Sequence, residues 1–197
     1  SQRLPGKAQK KLGAIPLYLY ALNTLMQVKG CDEIYVFCSD ESIASSLPRG
    51  VKFLSRDPAL DANETLGQDI YESFISQVDA DIYLLAHITS PFILVETIES
   101  AIGFVQNEYD SAFPVRKIQN FIWFDSKPLN YELDAIPRTQ DLNPAYEECS
   151  AFFCFRSEVW KQSKRRIGSN PKMIEVSLRE SVDIDTFEDF MLAEALL

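Results

Sequence analysis

Two carboxylates separated by one residue, Asp183 and Asp185, stand near the end of the 197-residue sequence. In extended backbone, residues i and i+2 project to the same face, so the pair converges. Two hard oxygen donors with room for water and phosphate oxygens suit Mg2+. Acidic residues ahead of a helix start are also favoured by the helix dipole alone, and the residues by themselves leave both readings open. At the other end, Arg3-Leu4-Pro5-Gly6-Lys7 sets two cations around a Pro-Gly turn. Turn N–H groups and flanking cations can grip phosphate oxygens, although a solvated basic terminus would read the same way. A phosphate loop ordinarily follows the first strand of a sheet, so a short strand is expected to be missing ahead of Ser1. The sole histidine, His87, is open to a structural role or a substrate contact.

The elements that must position these residues alternate. Apolar spacing predicts a helix over 15–29, opened by Pro16 and stopped by Gly30. Strands are predicted over 33–38, 51–56, 81–87, 111–115 and 151–155. Thr65 and Gln68 read as a capping box opening a helix that runs to about 78. A helix from about 95 carries Ile98, Ala101, Ile102 and Val105 on one face, and Thr186 caps a terminal helix with Asp189 three residues on. Strands alternating with amphipathic helices imply a single α/β domain over 1–197, with a mostly parallel sheet covered on both faces. In such sheets ligands bind beyond the carboxyl ends of the strands, where Ser39, Arg56, Thr89 and Ser90 fall. The stretch 117–150 breaks the alternation and reads as an inserted β-rich arm. Its Phe121, Trp123 and Phe124 are open to a core or an interface role.

A net charge of −10 argues against a general nucleic-acid surface. No apolar run approaches the ~20 residues of a membrane span, and the polar, basic start is not a signal peptide. Cys31, Cys38, Cys149 and Cys154 form no CxxC pair and read as reduced thiols of a cytoplasmic protein. Lys161, Lys164, Arg165 and Arg166 read as a solvated helix end.

Together these segments carry a resemblance. Asp183-Ile184-Asp185-Thr186, with Asp189, Ala193 and Glu194 behind it, resembles the ending of the acylneuraminate cytidylyltransferase (CMP-sialic acid synthetase) family. Arg3 to Lys7 resembles the loop after the first strand in those enzymes and in the related KDO cytidylyltransferases. Leu84 to Pro91 is similar to their strand ending in Thr-Ser-Pro, Asp110-Ser111 to their Asp-Ser, and Arg138 to Asp141 to their Arg-Gln-Asp segment. The resemblance implies a Rossmann-like domain that couples CMP from CTP to the anomeric hydroxyl of a 2-keto sugar acid, releasing pyrophosphate. It implies Arg3 and Lys7 on the triphosphate, Asp183 and Asp185 on Mg2+, and Ser39 and Arg56 near the nucleotide. Lys7 and Asp185 would be the catalytic groups. Thr89, Ser90, Arg138 and Gln140 would face the sugar, and the arm would pair two copies into a homodimer. Cys149-Ser150 departs from the family's Asn-Gly, Phe153 stands near a common tyrosine, and Arg3 replaces a common glycine. These departures point to another sugar acid, of legionaminic, pseudaminic or KDO type. The alternatives are an inactive nucleotide-binding relative serving as a partner or regulatory subunit, and a transferase for another nucleotide-activated sugar or polyol.

Overall fold

The computed structural model describes residue 4 and residues 6–197. A short hairpin, β1 (Lys11–Leu12) and β2 (Ile15–Pro16), leads into α1 (Leu17–Leu25), β3 (Ile34–Cys38), β4 (Val51–Ser55) and α2 (Gly67–Ile75). There follow β5 (Ile82–Ala86), α3 (Val95–Asn107) and β6 (Ser111–Ile118). A two-stranded ribbon of β7 (Trp123–Phe124) and β8 (Lys127–Pro128) precedes β9 (Ala145–Glu148) and β10 (Phe152–Arg156). The chain closes with α4 (Ser157–Ser163), β11 (Pro171–Glu175) and α5 (Phe187–Ala195).

The main sheet runs β5-β10-β6-β11. β10 is antiparallel to β5 and β6, and β11 is parallel to β6, so β5, β6 and β11 share a direction and β10 is reversed. β3 and β4 form a separate parallel pair. The reversal follows from the chain's path. β9 folds back antiparallel along the end of β6, from Ile118↔Ala145 to Val115↔Glu148, and β10 continues along the same side. Antiparallel return needs no crossover helix. The arm is therefore a long hairpin loop over 119–144, narrower than the predicted 117–150, because its ends are spent on the sheet.

β10 explains the layering. Its apolar run alternates between two covered faces. Phe152 and Cys154 pack with Ile98, Ala101 and Val105 of α3, while Phe153 and Phe155 pack with Trp160 of α4 and Tyr71 and Phe74 of α2. The buried face of α3 is the predicted set Ile98, Ala101, Ile102 and Val105. Over the smaller pair, Tyr18 and Leu22 of α1 cover Val36 and Phe53.

Several boundaries differ from expectation. α1 begins at Leu17, because Ile15 and Pro16 are drawn into the hairpin and the Leu17 N–H donates to the Lys10 carbonyl at 2.9 Å. Thr65 and Gln68 do not cap α2. The Asp69 carboxylate accepts from the Leu66 N–H at 3.0 Å, and Gln68 Nε2 reaches instead to the Lys164 carbonyl. β11 is not predicted from the sequence, and α4 only as the helix whose end carries the Lys161–Arg166 cations; both are short. The terminal cap is as expected: Thr186 Oγ1 accepts from the Asp189 N–H and Asp189 Oδ2 from the Thr186 N–H. Trp123 and Phe124 are exposed, so they are not core. The four cysteines are free, with Cys149 and Cys154 buried, and no helix among the described residues is long and apolar enough to cross a membrane.

Ile98 is 1% exposed between α3 and the sheet. Ile98→Ala is expected to cost about 2–5 kcal/mol in denaturant unfolding, and Ile98→Val about 0.5–1.5 kcal/mol.

Candidate active site

The site lies at the carboxyl edge shared by β5, β6 and β11. Beyond β11 the chain enters a turn built on Glu180, a buried carboxylate. Glu180 accepts from Ser177 Oγ at 3.1 Å, the Ser177 N–H at 3.3 Å and Thr97 Oγ1 of α3 at 2.6 Å. A buried carboxylate with three donors is satisfied, so the turn is rigid. It delivers an extended segment in which Val182 and Ile184 are buried. Since neighbouring side chains alternate, burying those two turns Asp183 and Asp185 to the opposite side. The Ile184 N–H donates to the Thr89 carbonyl at 2.8 Å, docking the segment onto the loop after β5.

Lys7 meets this segment from the far end of the chain. Its ammonium donates to Asp185 Oδ1 at 2.8 Å and to the Ile184 carbonyl at 3.0 Å. With the Lys7 side chain only 13% exposed, the charge has lost most of its water and needs these acceptors. Gly6 supplies the bend at φ 68°, a left-handed conformation that glycine adopts without strain. Leu4 shares one apolar cluster with Leu17, Phe92, Ile184 and Phe190, so a single core holds both the basic loop and the acidic segment. Arg3 and Pro5 lie outside the described residues.

Asp183 differs from its neighbour. Its Oδ1 is buried and, among the described residues, has no hydrogen-bond partner. Burying a polar oxygen without a partner is costly, so the position suits a group that takes a ligand. No group of three or more His, Cys, Asp or Glu side chains with metal-binding spacing occurs among the described residues. Any cation here would rest on the two aspartates and draw its other ligands from a substrate and water.

His87 follows β5, its N–H bonded to the Ala151 carbonyl at 2.9 Å and its ring 6.1 Å from that of Phe153. Burial holds its pKa below the usual value, with a backbone hydrogen bond at Ser150 opposing. Arg166 and Lys7 lower it further, and Asp183 raises it. Ser90 is buried in the turn beyond, its N–H donating to the His87 carbonyl at 3.4 Å. Cys149 is buried, and its thiol is pushed up by burial and by Glu147.

Ser39 and Arg56, at the carboxyl ends of β3 and β4, meet on Asp61, which accepts from both. The Ser39 hydroxyl, and after it Arg56, hold the Asp61 carboxyl below its usual range. Arg56 Nε is a second buried polar atom without a partner among the described residues. Asp61 carried no signal in the sequence. Arg138 and Gln140 are on the exposed arm, where Arg138 pairs with Asp141 at 2.7 Å. No hydrogen bond or ion pair among the described residues joins them to Lys7 or Asp183. Arg166, read from sequence as solvated, instead lies over the Phe153 ring with its guanidinium carbon 3.6 Å from the centroid.

Comparison with known proteins follows the same lines. The cytidylyltransferase family model matches residues 1–195. The chain is 24% identical over 208 residues to the N-acylneuraminate cytidylyltransferase of Streptococcus agalactiae serotype III (strain NEM316), covering 97% of this chain and 49% of that protein. It thus spans about half the length of that relative. It is 29% identical to the CMP-N,N'-diacetyllegionaminic acid synthase of Legionella pneumophila subsp. pneumophila (strain Philadelphia 1), covering 100% of this chain and 91% of that protein. A solved CMP:2-keto-3-deoxy-manno-octonic acid synthetase complexed with CTP superposes with a TM-score of 0.74. That match covers 100% of this chain and 93% of the other at 19% identity, a likeness of fold.

With one histidine in the chain, its titration is read from a single imidazole resonance. The NMR midpoint of His87 is expected below 6.5. The unfolded chain then binds the extra proton first, so the contribution is intact above about pH 6.5 and stability falls as pH drops through that value. His87→Gln should remove this part of the pH slope; a midpoint at or above 6.5 would contradict the burial.

Proposed function

The chain belongs to the cytidylyltransferase family, and on that footing we propose that it transfers CMP from CTP to the anomeric hydroxyl of a 2-keto sugar acid, with Mg2+ and release of pyrophosphate. The observation that carries this reading is the buried, unpartnered Asp183 Oδ1 beside the Lys7–Asp185 pair. The two aspartates fit a small hard cation that keeps water and phosphate oxygens as its remaining ligands. Held there, Mg2+ would neutralise phosphate charge and acidify the attacking hydroxyl. The relatives' names support the substrate class, since all three carry acidic sugars.

The chain's own residues do the positioning. Lys7 already sits at the acidic pair, and a triphosphate gives it stronger acceptors than one carboxylate oxygen. As Lys7 turns to the phosphate oxygens, Asp185 gives up that contact without either charge being stranded. The sugar oxygen attacks the α-phosphorus as the bond to pyrophosphate breaks. Charge on the phosphoryl oxygens is met by Lys7 and Arg3, and little covalent work falls to the protein. Ser39 and Arg56 bound the nucleotide end, and Thr89 and Ser90 the sugar side. The exposed Trp123, Phe124, Leu133 and Ile136 support pairing of two copies through the arm, because aromatic and apolar groups concentrate at interface cores. Arg138 and Gln140, carried on that arm, would reach a sugar bound to the other copy.

Asp183→Asn is expected to fold with a melting temperature at or above that of the wild type and to lose about a hundredfold or more in pyrophosphate release with CTP and a sugar acid. ATP, GTP and UTP should bind far more weakly than CTP in calorimetry. A well-folded Asp183→Asn protein with near wild-type turnover would remove the metal assignment. Light scattering should give a dimer mass at micromolar concentration, and Phe124→Asp should give a monomer mass.

A further inference from the structure

Between α2 and α4 the surface opens into a shallow cleft of about 430 Å³. Tyr71, Trp160 and Arg166 line it, with Leu66 at the rim. The Arg166 guanidinium lies on Phe153, donates through Nη1 to Tyr71 Oη at 3.1 Å, and through Nη2 to Glu148 Oε1 at 2.8 Å. The guanidinium carries five N–H donors, and among the described residues these two contacts take only part of them. The side chain is 31% exposed, so the remaining donors have an opening to reach.

This cation is built in rather than solvated. The Gly168 N–H donates to Ser111 Oγ at 2.9 Å, and Asp110 Oδ2 accepts from the Ser169 and Asn170 N–H groups, each at 2.8 Å. A Cβ on Gly168 would come within 2.4 Å of the Asp110 carboxylate, so only glycine permits that approach. The loop that carries Arg166 is thereby fixed to the start of β6. Phe153 joins the cleft to the acidic segment: Arg166 covers its ring, His87 adjoins it, and the turn that follows His87 accepts the Ile184 N–H at the Thr89 carbonyl, 2.8 Å away.

We infer that Arg166, flat on Phe153 and oriented by Glu148 and Tyr71, is the specificity-determining residue for the sugar, donating to an acceptor oxygen on the part of the molecule remote from its reacting carbon. The inference rests on the transferase reading and adds the subsite: a hydroxyl or amide carbonyl oxygen is selected there. Arginine is suited to this because its planar fork can stack and donate at once.

The test is pyrophosphate release at saturating CTP with three probes: N-acetylneuraminate, N,N'-diacetyllegionaminate and 2-keto-3-deoxy-manno-octonate. With the best of them, Arg166→Met should raise the sugar KM about ten- to a hundredfold and leave the CTP KM within about twofold. Arg166→Lys, which keeps stem and charge, should fold as wild type and recover part of the loss. An unchanged sugar KM in either folded variant would overturn the inference and leave Arg166 as packing on Phe153. If Arg166→Met does not fold, Arg166→Lys decides alone. Wild-type protein that releases no pyrophosphate with any probe removes the transferase reading and this inference with it.

Discussion

One backbone hydrogen bond, from the Ile184 N–H to the Thr89 carbonyl at 2.8 Å, is what the rest of the site depends on. It joins the loop after β5 to a segment almost a hundred residues away. With Ile184 completely buried beneath it, the segment has one register, and that register decides which way Asp183 and Asp185 point. A slip by one residue would bury the carboxylates and expose the isoleucine, an exchange disfavoured on both counts. Glu180 holds the entry to the segment and the Thr186–Asp189 cap its exit. The aspartates are thus positioned by their neighbours.

Three cations of the site and its surroundings are each answered by a carboxylate. Lys7 answers Asp185, Arg56 answers Asp61, and Arg166 answers Glu148. Each pair can exchange a partner for a ligand group of the same sign, which keeps the cost of binding low. Asp183 Oδ1 and Arg56 Nε fall outside this scheme as buried polar atoms without partners among the described residues. Their separation places one orphan at the acidic pair and the other at the edge of β3 and β4, the two places where a phosphate end and a base end would be met.

Part of this was legible in the sequence where a single element decides the outcome. The buried face of α3 and the cap at Thr186 both follow from spacing within one segment. What was not legible depends on distant partners. Ile15 reads as helix until its pairing with Leu12 is known, and Thr65 with Gln68 makes a plausible cap until Asp69 is seen to take the Leu66 N–H. The reversed β10 follows from the arm's return along β6, which no local pattern announces. Arg166 sat in a run of cations whose composition suggests solvent; the aromatic ring beneath it comes from a strand thirteen residues earlier. Asp61 is equally invisible, since nothing near it in sequence foretells Ser39 and Arg56.

The central claim is that Asp183 and Asp185 hold a divalent cation against the phosphates of CTP. The most direct measurement is anomalous diffraction from crystals grown with CTP and Mn2+ in place of Mg2+. The account predicts one peak within about 2.0–2.3 Å of an oxygen of each aspartate, with Lys7 moved onto the triphosphate. A nucleotide bound with no peak at the aspartates, and with Lys7 still on Asp185, would contradict it.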